Sequence, residues 1–193
     1  MNDQHESRII TGLEVRDGAG KLPKLVGYAS VFNSRSVDLG GFVEIVRPGA
    51  FKRTLQNADV RAMLNHDPNH ILGRNKAGTL ELREDDRGLR VEITPPAGDR
   101  VIESVRRGDL DGMSFGFRTV SDRWNHDEKP SLRELLDVDL FDVSVVAFPA
   151  YPRTDVALRS LQRSLAEISD ETARRRLRLA ELERALRISR AES

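Results

Sequence analysis

From residue 25 to residue 149 the chain alternates short apolar runs with clusters of Gly, Pro, Asn and Asp, and this predicts β-strands separated by turns. The runs are LVGYASVFN (25–33), GFVEIVRP (41–48), VRAMLNH (60–66), TLELRED (79–85), GLRVEITP (88–95), GMSFGFRTV (112–120) and LFDVSVVAFP (140–149). Two segments carry helical spacing instead. GAFKRTLQN (49–57) follows a Pro-Gly break. DRVIESVRRG (99–108) opens on Asp99 as N-cap, aligns Val101, Ile102 and Val105 on one face, and stops at Gly108. No self-similar period recurs, which argues against a repeat architecture.

Past Asp155 the pattern changes. Residues 157–193 hold many Arg and Glu but no Gly, Pro or aromatic residue. There Leu158, Leu161, Leu165 and Ile168 step by three and four, and Leu179, Leu182 and Leu186 resume the same heptad phase. Thr172 and Arg175 occupy the seam between them. The expected organisation is a β-dominated α+β domain over 1–156 and a charged, heptad-patterned helical tail over 157–193. The tail reads equally as a solvated helix packed on its own domain and as a coiled coil with a partner chain.

Composition narrows the chemistry. The chain has 193 residues and no Cys, which excludes disulfides, thiolate metal sites and cysteine nucleophiles. Basic and acidic residues balance at 31 each, so no global field recruits nucleic acid or an anionic membrane. No apolar stretch approaches the roughly 18 residues of a membrane span, and the N-terminal MNDQHESRII has no hydrophobic signal region. The expectation is an unexported protein free of membrane and nucleic acid.

Four histidines are the candidates for a base working near neutral pH. His5 lies near the terminus and His126 in a charged loop, which leaves His66 and His70 in NHDPNHILGR. His66 closes a strand-like run that would hold it rigidly, whereas His70 follows Pro68 in an expected loop. Their four-residue spacing suggests a metal pair, but Pro68 breaks any helix that would align them and no acidic third ligand is placed nearby.

In GMSFGFRTV, strand alternation turns Met113, Phe115 and Phe117 to the core and Ser114, Gly116 and Arg118 to the other face. The glycines at 112 and 116 leave room beside the serine for a substrate backbone, or mark bulges around an ordinary half-buried hydroxyl. In LFDVSVVAFP, the alternation of Phe141, Val143 and Val145 puts Asp142 and Ser144 on the opposite face, with Asp137 and Asp139 on the Phe141 side. A carboxylate in so apolar a strand is costly to bury unless paired, and a histidine N–H or an arginine would serve. Asp67 would point away from His66 if the strand continued.

GYASVFN, VRPGAF, LNHDPNHILGR followed by GTLELREDDRGL, LDGMSFGF and DVSVVAFPAYPRTDV, in this order through roughly residues 8–156, resemble the tailed-phage (caudovirus) prohead serine proteases. The resemblance implies a fold similar to the herpesvirus assembly proteases, a small β-barrel surrounded by helices. It implies a catalytic histidine at His66, a nucleophile at Ser114 and an acidic third member at Asp142. Herpesvirus relatives use a histidine there, and this chain has none after His126. The implied activity is a serine endopeptidase that cleaves the scaffolding segment of the major capsid protein, any separate scaffold, and itself. It would act inside the immature prohead in the host cytoplasm, with no metal or organic cofactor. Oxyanion donors are not identifiable from sequence beyond backbone near Arg153 or the Arg118 side chain. Two rivals stand beside this reading: a non-catalytic, scaffold-like assembly protein acting or self-associating through residues 157–193, and a metal-dependent hydrolase using His66 and His70.

Overall fold

The computed structural model describes residues 6–18 and 21–147, together with Ser164, Ala166, Glu171, Arg174 and Arg178. Ten strands carry the fold: β1 (Glu6–Thr11), β2 (Glu14–Gly18), β3 (Lys21–Val31), β4 (Phe42–Val46), β5 (Arg61–Leu64), β6 (Asp67–Arg74), β7 (Leu80–Glu84), β8 (Gly88–Ile93), β9 (Gly112–Asn125) and β10 (Ser131–Val146). The helices are α1 (Lys52–Asn57) and α2 (Val101–Arg106), each shorter than its sequence pattern suggested. Arg100 holds the N-cap position of α2, and Asp99 just outside it accepts the Val101 N–H at 2.9 Å.

The β-dominated expectation holds, but the barrel does not. The strands form two separate sheets, one ordered β1-β9-β10-β5-β6 with β4 also on β10, the other ordered β2-β3-β8-β7. One apolar core is built from both sheets and the two helices, including Leu25, Leu72, Leu89, Ile93, Val105, Phe115, Phe117, Leu140 and Val145. Phe51 meets Phe115 edge-on at 5.4 Å, and Phe115 stacks on Phe117 at 4.9 Å. Burying each such ring contributes on the order of 2–3 kcal/mol. These aromatics lie on the reverse face of the strand that carries Ser114, so the core holds that strand in place. Among the described residues no helix is long and apolar enough to cross a membrane. The seam residues of the expected tail lie outside the described residues, and its five described residues are helical.

Strand β10 is the spine of the larger sheet. One edge pairs antiparallel with β9 along almost its whole length; the other pairs in parallel with β4 over Ser131–Leu135 and with β5 over Asp142–Val145. Its first half escaped the sequence reading because RELLDVD breaks alternation with charges. Arg133 and Glu134 are buried, Asp137 and Asp139 half-buried, and all four are paired. Arg133 is 2% exposed and reaches Glu6 at 2.8 Å, Glu44 at 3.2 Å and Asp122 at 2.7 Å. Arg8 completes the cluster, bonding Glu44 at 2.7 Å and Glu6 at 2.9 Å. The network ties β1, β4, β9 and β10 together, although burial removes each charge from water at a cost that pairing must offset.

Burial alone would raise the Glu6 carboxyl, but Arg133 and Arg8 outweigh it and hold Glu6 below its ordinary range. A lowered folded-state value means that its contribution to stability is present above the ordinary carboxylate range and is lost as pH falls through that lowered value. Replacing Arg133 with Met leaves the buried Glu6 and Glu44 to share Arg8 as their remaining cationic partner in this cluster. We expect Arg133→Met to destabilise the domain by about 3–5 kcal/mol at neutral pH, with a smaller deficit in acid where Glu6 is protonated. Urea unfolding at two pH values measures both; an equal deficit at the two would exclude this role for Glu6.

Candidate active site

β5 and β6 are joined by a two-residue turn, Asn65-His66, between the paired residues Leu64 and Asp67. Both turn residues have positive φ, 51° and 58°, the sense that a tight hairpin of this hand requires. Asn tolerates that conformation; the second position ordinarily prefers Gly, and a histidine there costs about 1–2 kcal/mol. Two bonds offset the cost by tying the turn to the end of β10. Asn65 N–H donates to Val145 O at 2.8 Å, and Asn65 Oδ1 accepts the Ala147 N–H at 3.0 Å. His66 is therefore a turn residue rather than the end of a strand.

Across the sheet, β9 presents Ser114 opposite Ser144 of β10, with Gly116 opposite Asp142. Met113, Phe115 and Phe117 face the core as alternation predicted, leaving Ser114 on the other face. β10 reaches the same face by a different route than expected. A bulge between Leu140 and Asp142 lets two residues of β10 face one step of β9, so Leu140 is buried while Phe141 is 36% exposed. Beyond the bulge Val143 and Val145 resume the core positions, and Asp142 and Ser144 share the face of Ser114.

The bulge also corrects the reading of the neighbouring acids. Asp137 and Asp139 do not lie on the core side; Val138 and Leu140 take it. What separates them from Asp142 is their partners. Arg53 binds Asp137 at 2.8 Å and Asp139 at 2.6 Å, and Arg118 binds Asp139 at 2.6 Å. The bonds from Arg118 and Arg53 hold the Asp139 carboxyl below its ordinary range.

These placements bring His66, Ser114 and Asp142 together. His66 Nε2 lies 2.8 Å from Ser114 Oγ, and His66 Nδ1 lies 2.6 Å from Asp142 Oδ1. Ser144 Oγ, unremarked by the sequence pattern except for its face, lies 2.9 Å from Asp142 Oδ1 and 3.2 Å from His66 Nδ1. Ser114, Asp142 and Ser144 are buried, and the His66 side chain is 25% exposed. With a carboxylate at Nδ1, the imidazole keeps its proton there and turns a lone pair toward the serine hydroxyl. A hydroxyl, an imidazole and a carboxylate joined in this order can pass the hydroxyl proton to the ring during nucleophilic attack.

His70 stands apart from that group. It lies within β6 instead of a loop, which Pro68 in an edge strand permits, and its Nε2 is 3.0 Å from Asp99 Oδ2. His66 and His70 thus serve different carboxylates, and among the described residues no three His, Asp or Glu side chains gather to hold a metal. Asp67 caps its own turn through Asn69, and Glu134 pairs with Arg47 and Arg123. Arg118, four residues along β9 from Ser114, reaches Asp139, and Arg153 lies outside the described residues.

Asn65 pins the turn that carries His66, a contribution that only geometry exposes. We expect Asn65→Ala to lose about 1–2 kcal/mol of stability. Turnover should also fall at temperatures where the fold is intact, which paired thermal-unfolding and activity measurements would detect.

The chain matches no solved structure and no curated protein. A family profile described as caudovirus prohead serine protease matches residues 11–170, a span that contains every strand from β2 to β10 and the whole of the assembled group. A match over most of the chain shows the family: the chain belongs to the caudovirus prohead serine protease family, the maturation peptidases of tailed-phage capsids.

Proposed function

We propose that Ser114 is the nucleophile, His66 its general base and Asp142 the group that orients His66. The observation that carries this reading is the continuous hydrogen-bonded chain from Ser114 Oγ through both nitrogens of His66 to Asp142 Oδ1. Ser114 attacks the scissile carbonyl as His66 Nε2 takes its proton, and the ring returns that proton to the leaving amine. Water then repeats the cycle on the acyl-enzyme. Asp142 stabilises the imidazolium formed in each half and keeps the ring facing the serine. No step calls for a metal or organic cofactor.

Family membership supports capsid proteins as the substrates. The finer assignment is the scaffolding segment of the major capsid protein, a separate scaffold where one exists, and the protease itself, all inside the immature prohead in the host cytoplasm. Coexpression of capsid protein and protease, followed by mass spectrometry, identifies the cleaved bonds. Ser114→Ala and His66→Ala should each lower cleavage on the order of 10⁶-fold without unfolding the domain. Asp142→Asn should lower it about 10⁴-fold, as expected of an orienting carboxylate. Asp137→Asn and Asp139→Asn should stay near wild type, since arginines already engage both. Undiminished cleavage by purified Ser114→Ala protein would overturn the assignment.

Residues 157–193 serve association in this reading, either packaging into the prohead or self-assembly. The beginning of the segment touches the first domain: Ser164 is 7% exposed, and its Oγ lies 3.0 Å from His126 Nε2, whose ring stacks on Trp124. The family match likewise continues to residue 170. Chains ending at 156 and at 170 separate the two roles. Both should cleave a capsid-derived peptide while failing to be retained in assembled proheads. Inactivity of the shorter chain alone would assign residues 157–170 to the catalytic domain.

A further inference from the structure

We infer that Ser144 is a positioning residue of this site, which braces the Asp142 carboxylate and thereby fixes the orientation and proton of His66; the inference rests on the roles just proposed for Ser114, His66 and Asp142. Ser144 lies near the C-terminal end of β10 and is fully buried. Strand pairing sets it opposite Ser114 on β9 and Met63 on β5. Its hydroxyl lies within reach of two members of the chemical group at once, 2.9 Å from Asp142 Oδ1 and 3.2 Å from His66 Nδ1.

The proton inventory orders these contacts. A hydroxyl has one proton to give, and an ionised carboxylate accepts only. If Ser144 gave its proton to Nδ1, that nitrogen would turn a lone pair onto Asp142 Oδ1 at 2.6 Å, an acceptor against an acceptor. Ser144 therefore donates to Asp142 Oδ1, and the proton between the ring and the carboxylate sits on Nδ1. The Ser144 oxygen then offers Nδ1–H a second, longer acceptor. Nε2 is left with the lone pair that Ser114 needs.

The geometry also explains why a neighbour on the same strand is suited to this task. Asp142 and Ser144 are two residues apart and share a face, so the backbone of β10 sets their separation. The terminal torsion of an aspartate is broad; a donor fixed to the same strand narrows it. A buried serine that merely satisfied its own hydroxyl would affect folding but not the behaviour of the His66 ring.

The test uses the full chain and an internally quenched peptide spanning a capsid bond mapped by mass spectrometry. Wild type, Ser144→Ala, Ser144→Thr and Ser114→Ala are compared for kcat and KM. In parallel, the His66 Nδ1–H resonance is followed by NMR in Ser114→Ala protein with and without Ser144→Ala. Ser144→Ala should lower kcat about 10- to 100-fold, the loss expected for one hydrogen bond to a charged group, with KM unchanged. Ser144→Thr, which keeps the hydroxyl, should recover most of that loss. The Nδ1–H signal should move upfield and broaden when the hydroxyl is removed, a readout that stands even where the threonine methyl does not fit. A Ser144→Ala enzyme with wild-type kcat and an unmoved Nδ1–H signal overturns the inference while leaving the nucleophile assignment intact. Cleavage by Ser114→Ala would instead bring down that assignment.

Discussion

A carboxylate buried in the middle of a sheet must be met by donors, and much of the site's construction follows from meeting that need at Asp142. The residue is 4% exposed, and both the His66 ring and the Ser144 hydroxyl converge on its Oδ1. Without such donors its charge would be too costly to keep there. The bulge at Phe141 brings the carboxylate to the correct face, and Gly116 across the strand pair sets no side chain against it. The position of the imidazole then follows, because its Nδ1 is drawn to Asp142 and its Nε2 is left facing Ser114.

The domain gives up some backbone comfort to supply that imidazole. A glycine would suit position 66 better, yet the tip of the β5–β6 hairpin is where a side chain can lean over the ends of β9 and β10. Asn65 bonds the turn to β10, so the imidazole and its carboxylate are referenced to one strand. Rigid strands and a pinned turn thus place these side chains more accurately than a long loop would. The face behind the site is filled by Met113, Phe115 and Phe117, so movement of Ser114 would have to disturb the aromatic core.

Much of this arrangement is legible in the sequence, and the gaps have physical causes. Alternating Met113, Phe115 and Phe117 gave the side on which Ser114 lies, since nothing in that strand disturbs the two-residue period. The same rule applied to Phe141 placed that residue wrongly and Asp142 correctly, because the bulge shifts the phase just before the aspartate. RELLDVD concealed half of the longest strand, as charges read as solvent-facing unless their partners in β1, β4 and β9 are known. Pro68 concealed β6. The β1 and β2 strands went unassigned because their few apolar residues are mixed with charges. The expected barrel came from the family resemblance, not from any strand pattern, and the paired strands form two sheets instead. Ser144 was legible as a position and not as a role, which depends on a distance across strands.

The central place of β10 also bears on when activity can arise. Asp142 is separated by 76 residues from His66, and the hydrogen-bonded contact of His66 with Ser114 spans 48. Synthesis delivers the histidine first, the serine next and the aspartate last, and β10 is the strand onto which β4, β5 and β9 must all pair. A chain still emerging from the ribosome has the hairpin that bears His66 but no strand to pin it, and long-range pairings of this kind form slowly. His66, Ser114 and Asp142 can therefore meet only after β10, the last of the strands described, has joined the sheet.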